Sequence, residues 1–176
     1  MIVAAEASGD LLGAEIIREI KSQYKSAEII GVGGPEMAAA GQNQFFDVSE
    51  LSVMGLLEII PHLPRLFKLM QKLVGYAEAE QPDLLLTIDG QDFNKRLAKR
   101  IKAKLPIQAM HVVAPTVWAW RAGRAKEYAK IYDHLFTIFP FEATYFEKHG
   151  LNCSYIGHPL AHSMASWESK FLQGMP

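Results

Sequence analysis

The chain has 176 residues, 49% of them hydrophobic and 21% charged, with a formal net charge of -1. That length supplies one buried core and falls short of two full α/β domains, the composition excludes disorder, and the balanced charge excludes a global field that would gather nucleic acid. The single cysteine, Cys153, excludes an internal disulfide, no apolar run reaches the ~20 residues that span a bilayer, and Met1-Ile2-Val3-Ala4-Ala5 lacks the basic segment of a signal peptide, so the cytoplasm is the expected location.

Short β-rich runs alternate with longer stretches of helical period. This predicts a doubly wound, mostly parallel Rossmann-like α/β sheet covered on both faces. Residues 2–5 read as the first strand, and a helix follows over 11–24 with Leu12, Ile16, Ile17 and Ile20 on one face. Residues 29–32 form the second strand, ended by Gly33-Gly34-Pro35, then a short helix (36–40) and a weak strand (45–48). From 53 to 80 the pattern is helical, and Pro61 and Pro64 predict two helices meeting near His62. A strand at 84–88, a basic helix at 93–104 and a strand at 107–113 come next. A helix at 124–132, a strand at 134–139, a helix at 142–149 closed by Gly150 and a strand at 153–156 complete the periodic region.

Ligands of open parallel sheets bind at the carboxyl ends of the strands, so the loops there are the candidates. The first, Glu6-Ala7-Ser8-Gly9-Asp10, has small residues and a helix N-terminus suited to phosphate or sugar hydroxyls; its plainer reading is a helix capped by Ser8 or Asp10. Gly31-Val32-Gly33-Gly34-Pro35 lacks the lysine and Ser/Thr of a phosphate loop and reads as a sharp turn. Asp89 and Asp92, three residues apart at the mouth of a buried strand, are costly unless used or paired. One could take a proton from an attacking hydroxyl, while the other caps the helix or bonds a turn. The next loop carries Trp118, Trp120, Arg121 and Arg124, the arginines suited to a phosphate. No residue set has metal-ligand spacing.

The basic helix reads first as a solvated face and second as attraction to an anionic surface. The segment 53–74 holds too many apolar residues for one buried stripe, with Arg65, Lys68 and Lys72 among them. That suits a membrane-interface helix or a groove for acyl chains, with Met54, Leu56, Leu57, Ile60 and Phe67 as contacts; a core-plus-homodimer arrangement is the alternative.

Taken together and in order, Glu6–Asp10, Gly31–Pro35 with Met37, Ser52–Gly55, Asp89–Asn94, Ala114–Arg121, Phe139–Glu142 and Gly157–Leu160 resemble the N-terminal half of the lipid-A-disaccharide synthase family. The resemblance implies a glycosyltransferase of the two-domain GT-B type, with its active site between two Rossmann-like halves. It implies transfer of 2,3-diacylglucosamine from its UDP derivative to 2,3-diacylglucosamine 1-phosphate. The product is a β(1→6) disaccharide with inversion, made without metal or cofactor by a peripheral enzyme on the cytoplasmic face of the inner membrane. By the same resemblance Asp92 matches the essential carboxylate position better than Asp89. Ser8, Gly9, Asp10, Asn94, Trp118, Arg121 and Glu142 are the expected substrate contacts.

Residues 1–160 then form the acceptor-binding domain and 161–176 a tail or truncated linker, of which Ser163–Pro176 does not look like the family's continuation. By this resemblance the family's second domain is expected to be missing from the chain, and Ala5 stands where the family usually has glycine. The expectation is a fragment that folds without turning over substrate. The alternatives are a non-catalytic module holding an acylated sugar phosphate and another UDP-sugar enzyme of the same architecture.

Overall fold

The computed structural model of the chain describes residues 1–51 and 59–158, with side chains from residue 64 onward in the second stretch. The elements in order are β1 (Ile2–Ala4), α1 (Ala7–Gln23), β2 (Ile30–Gly33), α2 (Pro35–Ala39), β3 (Asn43–Asp47), a 3-10 turn (Val48–Glu50) and α3 (Ile59–Glu80). They continue with β4 (Leu84–Ile88), α4 (Gln91–Lys102), β5 (Gln108–Val112), α5 (Gly123–Ala129), β6 (His134–Thr137), α6 (Ala143–Glu147) and β7 (Asn152–Tyr155). The strands form one sheet in the order β3-β2-β1-β4-β5-β6-β7, and every pairing is parallel. The Rossmann-like expectation holds, and the sheet is parallel throughout the described residues rather than mostly so.

Two apolar clusters sandwich this sheet, and the alternation of side chains along each strand assigns residues between them. On β1, Ile2 and Ala4 join the cluster that packs against α1 and α2, including Ala14, Ile17 and Met37. Val3 joins the other, with Leu73 and Ala77 of α3, Leu97 and Ile101 of α4 and Tyr128 of α5. On β4, Leu86 and Ile88 face the first cluster and Leu85 the second. A strand buried on both faces has to be apolar nearly end to end, which is why these runs stood out.

Two elements depart from their predicted bounds in informative ways. Helix α1 starts at Ala7, four residues early, directly after the strand. Gly9 permits this: a Cβ there would lie 3.2 Å from the Ala4 Cβ and 3.4 Å from Ile88. The break predicted near His62 does not form, because α3 runs unbroken from Ile59 to Glu80. Pro64 lies inside the helix, which absorbs the loss of the one hydrogen bond its missing N–H would make.

Among the described residues no helix is long and apolar enough to cross a membrane. Met54, Leu56 and Leu57 and the 161–176 tail lie outside the described residues, and so does the side chain of Ile60.

Candidate functional site

The strand order reverses between β1 and β4, so the loops after those two strands open side by side at the switch point of the sheet. There Ser8 donates its hydroxyl to Asp89 Oδ2 at 3.0 Å, joining two loops that are far apart in sequence. Asp89 Oδ1 accepts the Gly90 N–H at 2.9 Å. Asp89 and Gly90 are both left-handed, with φ of 50° and 48°, a conformation costly for aspartate. A Cβ on Gly90 would also overlap that of Ala5.

Asn94 stabilises this turn. It is fully buried, and its Nδ2 donates to the carbonyls of Ile88 at 3.1 Å and Asp89 at 2.8 Å. Its Oδ1 has no hydrogen-bond partner among the described residues. The expected substrate contact thus acts from beneath the loop, with its amide committed to the backbone.

Asp92 has different neighbours. It projects from the first turn of α4, where Arg124 Nη2 donates to its Oδ2 at 2.7 Å and Lys95 lies 3.9 Å from Oδ1. The same guanidinium reaches Gln91 Oε1 at 3.1 Å, and the Tyr128 hydroxyl donates to the Gln91 carbonyl at 3.3 Å. Helix α5 therefore clamps the start of α4. Neither aspartate is a helix cap, since Gly90 holds that position. Asp89 faces a hydroxyl and an amide, whereas Asp92 faces a guanidinium.

The sequence reading passed over a third carboxylate. Glu6 directly follows β1, holds the N-cap position of α1 without capping it, and is raised above the ordinary carboxylate range by partial burial and by the charge of Asp89. The available signal was its place as the first polar residue after a central strand.

Asp10 serves the neighbouring loop on the same edge of the sheet, the one after β2. It is buried, and its oxygens accept the backbone N–H groups of Gly34 at 2.8 Å, Glu36 at 3.1 Å and Met37 at 3.0 Å. It caps α2 and does not cap α1, and neither does Ser8. Gly9 supplies the close approach of α1 to the sheet described above.

The two tryptophans of the β5 loop divide their roles. Trp118 packs edge-on against Phe141 with centroids 5.6 Å apart, and Phe139 stacks on Phe141. Glu142 completes that corner by accepting the N–H groups of Ile138 at 3.3 Å and Phe139 at 3.1 Å, with the Trp118 side chain as a further donor. Burial pushes the Glu142 carboxyl up while these hydrogen bonds pull it down. Trp120 instead carries cations, with the Arg121 guanidinium 4.4 Å and that of Arg124 5.2 Å from its ring centroid. Arg121 is exposed and left-handed at φ 55°. With Asp89 and Val113 (φ 75°) it makes three strained non-glycine residues in the segments that follow β4 and β5. Strain of this kind gathers where a site needs it.

Below the crevice, His111 of β5 is fully buried, with Nδ1 2.7 Å from the Thr87 hydroxyl, which also meets the Tyr132 hydroxyl at 3.1 Å. Burial pushes the imidazole down to about 3 and the Tyr132 hydroxyl well up. An unfolded chain takes up this proton near 6.5, whereas the folded one resists it until about 3. Stability is therefore full above 6.5 and falls as pH drops through that window, by on the order of 5 kcal/mol. Urea unfolding at stepped pH should show this loss, and His111→Leu should flatten it. An equal slope in the variant would assign the acid sensitivity elsewhere.

Comparison with known proteins places this geometry among relatives. Residues 1–173 match the family model described as lipid-A-disaccharide synthetase. The chain is similar to the lipid-A-disaccharide synthase of Idiomarina loihiensis, at 46% identity over 160 residues covering 91% of this chain and 42% of the relative. It is similar to that of Rickettsia bellii at 48% identity, covering 90% and 42%, and to that of Aliivibrio fischeri at 44% over 170 residues, covering 97% and 44%. The chain thus spans less than half the length of these relatives. The family match reaches residue 173, through most of the segment expected to depart from the family. The alignments to the first two relatives span 160 residues.

Proposed function

The chain belongs to the lipid-A-disaccharide synthase family, and from that membership we propose that it is the acceptor-binding part of a glycosyltransferase. The acceptor is 2,3-diacylglucosamine 1-phosphate and the donor is UDP-2,3-diacylglucosamine. The acceptor's 6-hydroxyl oxygen attacks the anomeric carbon from the side opposite UDP. The carbon–oxygen bond to UDP breaks, UDP leaves with the electron pair, and the configuration inverts to β. The hydroxyl proton passes to a carboxylate, for which Asp92 is the first choice and Asp89 the second.

The observation that carries this reading is the Ser8–Asp89 hydrogen bond between the two loops that open on the switch point, where doubly wound sheets take their ligands, with Asp92 in the first turn of the helix that follows. Arg121, exposed beside Trp120, has the chemistry to meet a sugar phosphate. Asn94, Trp118 and Glu142 shape the loops that would hold the acceptor, and Ser8 offers it a hydroxyl neighbour. Residues donated by the remaining length of the relatives would bind most of the UDP.

The test is a chimera in which this chain replaces the corresponding part of the Idiomarina loihiensis relative. Disaccharide formation with UDP release, and preference for a diacylated over a deacylated acceptor, support the reading. Acceptor binding without any transfer would make the domain a holding module, and indifference to acyl chains would sink the substrate assignment. For the membrane, Met54, Leu56, Leu57, Ile60 and Phe67 are proposed to touch acyl chains or the inner-membrane surface at its cytoplasmic face, and Phe67 is half exposed on α3. Replacing Leu56, Leu57 and Ile60 by serine should markedly reduce sedimentation with anionic vesicles. Unchanged sedimentation would return that segment to the folded core.

A further inference from the structure

Helices α3 and α4 pack side by side and leave an open groove of about 870 Å³ between them. This volume lies in the range of small-molecule sites. Leu66, Phe67 and Met70 of α3 and Phe93 of α4 supply an apolar floor. The rim is cationic, with Lys68 on one wall and Arg96 and Arg100, one helical turn apart, on the other. Asp92 stands in the lining as well, so the groove runs into the candidate site.

The charges on α4 separate along this groove. Lys95 pairs with Glu127, Lys102 with Asp133 at 2.7 Å and Lys104 with Glu78 at 3.5 Å. Lys68, Arg96 and Arg100 make no ion pair among the described residues, although Arg100 lies over the Phe67 ring at 4.8 Å. Three cations without an ion pair among the described residues therefore stand around the groove. An apolar trough ringed by free cations complements an anionic amphiphile better than it complements a neutral lipid or a peptide.

We propose that the α3–α4 groove holds one acyl chain of the sugar substrate, with Lys68, Arg96 and Arg100 drawing in its anionic head and the chain entering beside Asp92. The proposal rests on the transferase reading for the identity of that substrate. A chain seated in the groove keeps its polar head at the Asp92 end, so the groove becomes a ruler for acyl length as well as an anchor.

The test uses the 176-residue chain and alkyl phosphates kept below their micelle concentrations, with binding followed by calorimetry. Dodecyl phosphate should bind at least tenfold tighter than octyl phosphate, since each buried methylene adds to affinity. Gln71→Trp, a replacement of an exposed groove residue that fills the trough, should weaken dodecyl phosphate at least tenfold and leave octyl phosphate little changed. Paired Arg96→Glu and Arg100→Glu replacements should weaken both ligands, in a salt-dependent way. Sedimentation with anionic vesicles should be unaffected by Gln71→Trp.

Equal binding of the two alkyl phosphates, or unaltered dodecyl phosphate binding by Gln71→Trp with intact circular dichroism, overturns the proposal. Loss of vesicle binding in step with amphiphile binding in the Gln71→Trp variant also overturns it, because the groove would then be membrane surface. None of these measurements requires transfer. An inactive chimera with chain-length-dependent binding would sink the enzyme reading and spare the groove, and the reverse result would sink the groove alone.

Discussion

Replacing Asp92 with asparagine in a full-length chimera is expected to cut transfer by about 10²–10⁴-fold while acceptor binding stays within a few-fold, the loss typical of removing a positioned general base. Asparagine keeps the size and one acceptor oxygen, so Arg124 and Gln91 can hold the first turn of α4 much as they do now. What disappears is the group that takes the proton. Asp89→Asn is the paired measurement. Asparagine tolerates the left-handed backbone at that position and can still accept from the Gly90 N–H through its one oxygen, while its amide nitrogen donates to the Ser8 hydroxyl, so the turn survives. Its rate should fall far less than that of the Asp92 variant. Wild-type turnover by Asp92→Asn, with the large loss appearing in Asp89→Asn, would transfer the role to Asp89.

The second large effect is on stability. Asp10→Ala should lower the free energy of unfolding by about 3–5 kcal/mol, because it strips partners from three backbone N–H groups around the start of α2 in a single step. Gly34 faces the same carboxylate so closely that a Cβ there would lie 2.5 Å from Asp10 Oδ2. The Glu6–Asp10 motif and the Gly-Gly-Pro turn thus form one joint. Urea unfolding of the 176-residue chain reads the loss directly, and Asp10→Asn, which keeps an acceptor, should recover part of it. Unchanged stability together with weakened acceptor binding would return Asp10 to the substrate contacts.

Much of the architecture was legible because it is written locally. The run from Leu84 to Ile88 is apolar but for Thr87, whose hydroxyl finds partners in the core, because both faces of β4 are covered, and the stripe of Leu12, Ile16, Ile17 and Ile20 marks the face of α1 that meets the sheet. The prolines of α3 misled because a helix packed against the core can carry one: Pro64 sits inside an unbroken helix, and the packing of Leu69, Met70, Leu73 and Ala77 that holds it is not marked in the residues around the proline. The candidate loops were legible for a related reason: in a doubly wound sheet every strand delivers its carboxyl end to one edge, so residues just after strands share a surface whatever their spacing in the chain.

Composition and periodicity therefore determined the fold class, the edge of the sheet where ligands bind, and the loops worth examining. Tertiary structure alone decided which residues meet. Asp10 and Asn94 were expected as substrate contacts by resemblance, and the fold shows in addition that one caps the neighbouring helix α2 and the other braces the turn after β4. Asp92 looked like its twin Asp89 until α5 brought Arg124 against it. Glu6 gained meaning only when β1 and β4 lay side by side and put Asp89 next to it. Strand order sets these partnerships. It follows from how the whole chain buries its apolar faces, and no local pattern of residues encodes it.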